Sequence, residues 1–248
     1  MNHKILFLLL LTFNISFAQK VKKMKKNVGH GKAIYYVLKS DTNIKHGKYI
    51  VKTYTGRDIV VSGNYVNGNK DGQWIEKHIY KGRKLKSQGN YKDNKRVGDW
   101  IFYNTKGDSI QIYNFDEKKL KWTKSCKSDR KYNIHVEGKI TETELDCKPM
   151  FLGGIDTFFN GFRKYFIFKY PADKSEIIEF DNTILLTLEK DNTLSNIQFE
   201  KDVPNKKFKD ILTEYIIQKK ENWLTGKKNN DNVKVLLDLK FKFKFRIN

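Results

Sequence analysis

One short motif, a glycine followed two residues later by an aromatic residue, recurs through the first half of this 248-residue chain. One series begins at Gly47, Gly72 and Gly98, with spacings of 25 and 26 residues, and a second begins at Gly63 and Gly89, with a spacing of 26. A unit of this length cannot bury an apolar face alone, and it becomes stable when like units stack. The motif therefore predicts an array of similar units.

Each unit is predicted to be a β-hairpin. Polar segments at 67–72 and 92–95 separate the motifs, and Asn-Gly and Asp-Gly pairs favour tight turns because Asn and Gly tolerate positive φ. Stacked hairpins share one continuous apolar face. We expect an aromatic ladder on that face, formed by Tyr49, Tyr65, Trp74, Tyr91 and Trp100. The alternative is that these rings are exposed and stack on sugars or bases, but the period favours the structural role.

The segment from Gly63 to Trp74 has the pattern G-x-Y-x-x-G-x-x-x-G-x-W, and the segment from Gly89 to Trp100 repeats it with Asn94 in place of the second Gly. Over residues 29–116 the chain resembles MORN-type repeats, in the variant form common in secreted bacterial proteins. The resemblance implies a scaffold or a lipid-associated surface. Residues 19–119 are predicted to be this repeat domain.

The first 18 residues have the order of a secretory signal peptide. Ile5 to Phe13 is apolar apart from one Thr, and Ser16-Phe17-Ala18 supplies a small-x-small site, so cleavage is expected between Ala18 and Gln19. The alternative is an uncleaved membrane anchor, but an apolar helix of about 14 Å is under half of a ~30 Å hydrocarbon core. The mature chain is expected in the periplasm or outer envelope, with no transmembrane span.

Basic residues outnumber acidic ones, 49 to 28, which gives a formal charge of +21. Residues 20–148 hold 30 basic and 14 acidic residues, and residues 149–248 hold 18 and 14. A basic chain often binds nucleic acid, but export argues against that partner. Anionic lipid or polysaccharide of the envelope is the expected counter-charge. The alternative is a lysine-rich, solvated surface with no specific partner.

The chain has two cysteines, Cys126 and Cys147, both in a segment at 120–148 that is interpreted as a connector. The alternative for part of this segment is a strand at residues 132–136. In an oxidising compartment they either pair or remain two free thiols. Two cysteines are too few for a four-cysteine zinc site.

Residues 149–248 are predicted to fold as an α+β domain. Ile155, Phe158, Phe162 and Phe166 have helical spacing, and the helix should end by Tyr170 because Pro171 follows. Strands are expected at 183–188 and 194–199, followed by a second helix after 203–205. The predicted fold class is therefore mixed β and α+β: a hairpin array, then two helices packed on a three-stranded antiparallel sheet.

The last strand has the clearest pattern, because apolar and mostly polar residues alternate from Val233 to Ile247. It is also the candidate partner-binding strand, with these residues: Val233, Val235, Leu237, Leu239, Lys240, Phe241, Lys242, Phe243, Lys244 and Phe245.

This half resembles the C-terminal domain of TonB over residues 149–246, in divergent form. The resemblance depends on residues 149–154 (P-M-F-L-G-G), on Lys169-Tyr170-Pro171, on Asp191-Asn192 at the hairpin, and on Trp223 before the final strand. It implies a small domain that binds protein partners by strand addition at its sheet edge. The chain lacks the proline-rich stalk of a true TonB, so energy transmission to a transporter is not expected.

No catalytic, metal or cofactor motif stands out. The histidines lack metal-ligand spacing, and Cys126 with His135 is a weak nucleophile-base pair. The sequence therefore predicts an exported, non-enzymatic binding protein that docks an envelope protein through its C-terminal domain. The alternative is a binder of anionic lipid or polysaccharide through the basic repeats, and the third hypothesis is a glycan hydrolase.

Overall fold

The computed structural model describes residues 19–28, 31–79, 82–170 and 176–247. Within these ranges the chain is mostly β. It forms a nine-stranded sheet, a five-stranded sheet, two small two-stranded pairs, two α-helices and one 3₁₀-helix. None of the described helices has the length and apolar character needed to cross a membrane.

The nine-stranded sheet contains the repeats, and each strand pairs antiparallel with the next along the chain. Its strands are β1 Val21–Val28, β2 Gly31–Leu38, β3 Lys45–Lys52, β4 Ile59–Val66, β5 Asn69–Lys77, β6 Leu85–Lys92, β7 Lys95–Tyr103, β8 Ser109–Asn114 and β9 Lys119–Thr123. The predicted hairpin array is confirmed, and it extends beyond the recognised repeats by a strand at each end.

The turn residues have the backbone geometry that the sequence predicts. Asn67 and Gly68 have φ values of 47° and 88°, and Asp93 and Asn94 have 48° and 67°. These left-handed conformations favour Gly, Asn and Asp, and they allow the two-residue turns that connect twisted strands.

The aromatic ladder forms on one face of this sheet. Neighbouring ring centroids lie 5.4 Å apart for Tyr49 and Tyr65, 5.3 Å for Tyr65 and Trp74, and 5.7 Å for Trp74 and Tyr91. Tyr91 then meets Trp100 at 5.1 Å. Both Trp side chains are buried, and the three Tyr side chains are partly buried against them. The rings therefore form the shared core of the stacked hairpins.

The rest of the chain wraps two helices onto the second sheet. Its elements are β10 Tyr132–Val136, β11 Lys139–Thr143, β12 Met150–Phe151, α1 Ile155–Lys169, β13 Glu176–Leu188, β14 Leu194–Phe199, α2 Lys206–Gln218, the 3₁₀-helix Lys220–Asn222, β15 Trp223–Leu224, β16 Lys227–Lys228, β17 Asp231–Asn232 and β18 Val235–Ile247. The two predicted helices are confirmed. The predicted final strand also forms, but it begins at Val235, so Val233 of the candidate partner-binding strand lies before it. α1 buries Phe158, Phe162 and Phe166, and it ends before Tyr170.

The predicted three-stranded sheet was wrong, because the sheet has five strands in the order β11-β10-β18-β13-β14. The two additional strands come from the 120–148 segment that the sequence suggested was a connector. The alternative strand at 132–136 is confirmed as β10, whereas β11 was not predicted. β10 pairs with the start of β18 through Asn133 and Leu236 and through Ile134 and Val235. These contacts join residues about a hundred positions apart in the chain, and a local sequence pattern cannot predict such a pairing.

The two halves are packed together through a mixed core. Trp74, Trp100 and Tyr113 from the nine-stranded sheet belong to the same buried cluster as Met150 and Leu224 from the C-terminal half. The side-chain amide of Gln111 on β8 also donates to the Phe151 carbonyl at 3.3 Å, and its oxygen accepts the Gly153 N–H at 2.7 Å.

Candidate functional site

The final strand, β18, has neighbours of unequal length on its two sides. On one side β13 pairs with it along its whole length, from Glu176 opposite Ile247 to Leu188 opposite Val235. On the other side β10 pairs only with Val235 and Leu236. Beyond Leu236, no strand in the described part of the chain covers that side. We call residues 237–247, on the side away from β13, the open edge of β18.

Hydrogen bonds show which residues direct their backbone groups outward at the open edge. The Lys234 carbonyl accepts the His135 N–H at 3.0 Å, so the backbone groups of Lys234 point toward β10. Along a strand, the backbone groups of successive residues point alternately to the neighbouring strand on one side and on the other. The Thr183 carbonyl accepts the Glu200 N–H from β14 at 2.9 Å, which gives the same alternation across β13. The residues whose backbone N–H and C=O groups point away from β13 are therefore the even-numbered ones, including Lys240, Lys242 and Lys244.

The two faces of β18 have different chemistry. Phe241 is buried, and Phe243 and Phe245 are partly buried against the helices. On the opposite face Lys242 pairs with Asp181 on β13 at 3.0 Å. Lys244 pairs in the same way with Glu179 and holds the pKa of that carboxyl below its usual range. The open edge thus presents backbone donors and acceptors between an aromatic face and a charged face.

A groove of about 490 Å³ lies beside the first part of the open edge. Its apolar walls come from β8, β10, the start of α1 and β18, and they include Ile110, Tyr132, Ile155, Phe159 and Leu239. Phe159 is held in place by stacking on Phe241, with the ring centroids 5.0 Å apart.

The groove carries more positive than negative charge. The basic residues that line it are Lys124, Arg130, Lys148 and Lys240. The acidic residue in its lining is Asp238, which accepts two hydrogen bonds from the Arg130 guanidinium at 3.1 Å and 2.9 Å. This bidentate pair fixes Asp238. Lys124 pairs with Asp108 at 3.7 Å, so Lys148 and Lys240 set the charge that a ligand meets.

The predicted repeat-core residues lie in the aromatic ladder, which is the buried core described above. Sequence reasoning missed the cations that cover it. Lys45 lies 4.9 Å from the Tyr65 ring centroid, Lys70 lies 4.4 Å from that of Trp74, and the Arg96 guanidinium lies 4.8 Å from that of Trp100. Each cation is two residues before a motif glycine, so the spacing of 25 and 26 was the signal.

The structure joins Cys126 and Cys147 in a disulfide, with a Cα–Cα distance of 4.4 Å. Cys126 therefore carries no thiolate in this state, and His135 lies in β10 with its N–H bonded to Lys234. Within the described residues, no group of three or more His, Cys, Asp or Glu side chains is arranged to hold a metal ion.

The predicted cleavage point lies at the edge of the described chain. Ala18 and the rest of the predicted signal peptide lie outside the described residues, and Gln19 is exposed.

Comparison with known proteins adds no assignment to this geometry. No protein-family profile matches the chain, and no curated protein sequence matches it at a significant level.

Proposed function

We propose that this chain is an exported, non-enzymatic binding protein that docks an extended segment of an envelope protein onto the open edge of β18. The observation that carries the proposal is the long run of outward-pointing backbone groups at 237–247, which β10 leaves uncovered. Main-chain hydrogen bonds to such an edge supply affinity, and pockets beside it supply sequence preference.

The groove and its charge indicate which segment fits. An added strand continues the alternation of faces, so every second side chain points to the groove side. Apolar side chains suit the walls formed by Ile155, Phe159 and Leu239. Acidic side chains suit Lys148 and Lys240, which also line the groove. The proposed ligand is therefore a protein segment in which apolar and acidic residues alternate.

A matched pair of variants separates backbone docking from a contact with a lysine side chain. Lys242→Pro removes an outward N–H, while the hydrogen bonds of β18 to β13 are made by odd-numbered residues and remain. Lys242→Thr also loses the ion pair with Asp181 but keeps the N–H. Random displayed peptides of about ten residues, the length of the open edge, are selected on the mature protein and measured against both variants.

We expect the selected peptides to alternate acidic and apolar residues, and to lose affinity for Lys242→Pro while retaining most of it for Lys242→Thr. Loss of one main-chain hydrogen bond in a buried strand pair should weaken the affinity for the peptide by about tenfold. Selection of no peptide, or equal affinity for both variants, contradicts the proposal.

A second function is favoured by the first strand of the nine-stranded sheet. β1 is the outer strand of that sheet, and it exposes Lys22, Lys23, Lys25 and Lys26. Such a row suits an anionic polymer, with attraction that salt screens.

The test compares the affinity for dextran sulfate of the unmodified protein with that of a variant in which all four β1 lysines are changed to Gln. The control changes Lys190, Lys201, Lys206 and Lys220, which are exposed in the C-terminal half. Preferential loss in the β1 variant, with binding abolished near ~1 M salt, supports this function. Equal loss in both variants contradicts it.

A further inference from the structure

A second cleft, of about 640 Å³, lies between the nine-stranded sheet and the helices of the C-terminal half. It shares one lining residue, Phe151, with the groove beside β18. β5, β6 and β7 supply one wall, and α1 together with the end of α2 supplies the other. Its volume is within the range of small-molecule sites, about 300–1,000 Å³.

Positive charge converges on this cleft from both walls. The lysine and arginine residues of its lining are Lys77, Lys86, Arg96, Lys164 and Lys219. His78 also lines it, and burial lowers the pKa of its imidazole. The acidic residue of the lining is Glu76, whose carboxylate accepts a hydrogen bond from Lys86 Nζ at 3.0 Å. Pairing with Lys86, helped by Arg96 and Lys70, outweighs burial and lowers the pKa of Glu76 to about 2. The lining thus holds five lysine and arginine side chains and one carboxylate.

The cations of the sheet wall are held in position before any ligand arrives. Arg96 donates from Nη1 to Asn222 Oδ1 at 2.8 Å and stacks on Trp100. Ser87 Oγ lies 3.5 Å from the carboxylate that binds Lys86. Groups fixed in this way lose little conformational freedom when they bind an anion.

The helix wall brings Lys164 and Lys219 toward the same space. Both side chains are half-buried, and burial together with the charge of Lys86 lowers the pKa of each. Cations that repel one another at partly desolvated positions are stabilised by an anion placed between them.

The cleft also has an aromatic part. Phe102, Phe151 and Tyr215 line it, and at its mouth Ile167 and Phe168 on α1 remain 53% and 76% exposed. Exposed apolar side chains beside a charged pocket favour a ligand with an apolar portion next to its anionic group.

We propose that this cleft binds a small phosphate monoester that carries an apolar or aromatic group. A phosphate monoester brings close to two negative charges, which a carboxylate does not, and it matches a lining in which basic side chains outnumber acidic ones. This site is independent of the open edge of β18, since the two surfaces share no charged residue.

Three probes test the two parts of the proposed ligand on the mature full-length protein by titration calorimetry. They are 1-naphthyl phosphate, inorganic phosphate and 1-naphthol. We expect 1-naphthyl phosphate to bind more tightly than either other probe by about tenfold or more, because each alternative lacks one set of contacts. If inorganic phosphate binds as tightly as 1-naphthyl phosphate, the proposal that the ligand carries an apolar group is overturned. If 1-naphthol binds as tightly as 1-naphthyl phosphate, the proposal that the ligand is anionic is overturned.

A matched pair of double variants locates the site. Lys164→Gln with Lys219→Gln removes two cleft cations and should weaken 1-naphthyl phosphate binding by about tenfold or more, as expected when charge-assisted contacts are lost. Arg163→Gln with Lys220→Gln removes two exposed cations from neighbouring positions outside the cleft and should change affinity by under about twofold, since exposed charges are screened.

Equal weakening in the two double variants overturns the site, because it shows that only overall charge matters. No detectable binding of 1-naphthyl phosphate by the unmodified protein overturns the proposal as a whole. Far-ultraviolet circular dichroism of both variants verifies that each is folded before its affinity is measured.

Discussion

The backbone N–H of His135 donates to the carbonyl oxygen of Lys234 at 3.0 Å, just before β10 pairs with the first two residues of β18. This hydrogen bond fixes the alternation along the rest of the strand, since the register with β13 continues without a bulge. It therefore determines which amides of β18 belong to the sheet and which are available at the open edge.

Gly89 lies beneath the indole of Trp100, and a Cβ atom added at Gly89 would come within 2.4 Å of that ring. Gly89→Ala should therefore destabilise the repeats by about 1–3 kcal/mol, the cost of overpacking a core. Denaturant unfolding measures this loss of unfolding free energy. Asn90→Ala, at the exposed neighbouring residue, is the control. A change below about 0.5 kcal/mol at Gly89, the level of a neutral surface substitution, is inconsistent with this packing.

The disulfide between Cys126 and Cys147 closes a loop with a sequence separation of 21 residues. In the chain-entropy description such a crosslink stabilises the folded state by about 3 kcal/mol. Replacing both cysteines with Ala should lower the free energy of unfolding by that amount, as should reduction. Two titratable thiols in the unreduced, denatured protein argue against the bond.

Acid should weaken the contact between Glu76 and Lys86. The pKa of Glu76 is lowered from 4.5 to about 2, chiefly by Lys86, so the stabilisation is present above pH 4.5 and is lost as pH falls toward 2. The difference in unfolding free energy between the unmodified protein and Glu76→Gln should shrink across that window. Lys86→Gln should remove most of this pH dependence, and a difference that stays constant in pH contradicts the pairing.

Local patterns predicted the parts of the fold that local sequence determines. The spacing of Phe158, Phe162 and Phe166 defined the buried face of α1, and the period of two defined β18. The repeated motif placed Trp74 and Trp100 in one ladder because stacked units must share a core.

Features formed by distant segments were missed for a physical reason. β10 contains five residues, and its place beside β18 depends on a register that only the assembled sheet supplies. The basic cleft brings Lys86 on β6 beside Lys164 on α1, and nothing near either residue marks the other. β10 pairs with only two residues of β18, which leaves the open edge uncovered, and the sequence did not predict this limited pairing.

In the proposed function, residues 237–247 present uncovered backbone groups to a docking strand. Residue-resolved amide hydrogen exchange of residues 19–248, alone and with a selected peptide, measures whether these groups are uncovered. We predict fast exchange at Lys240, Lys242 and Lys244 in the free protein, slow exchange at Phe241 and Phe243, and protection of the three lysine amides when peptide binds. Lysine amides that are already protected in the free protein, or that stay unprotected in the complex, contradict the claim.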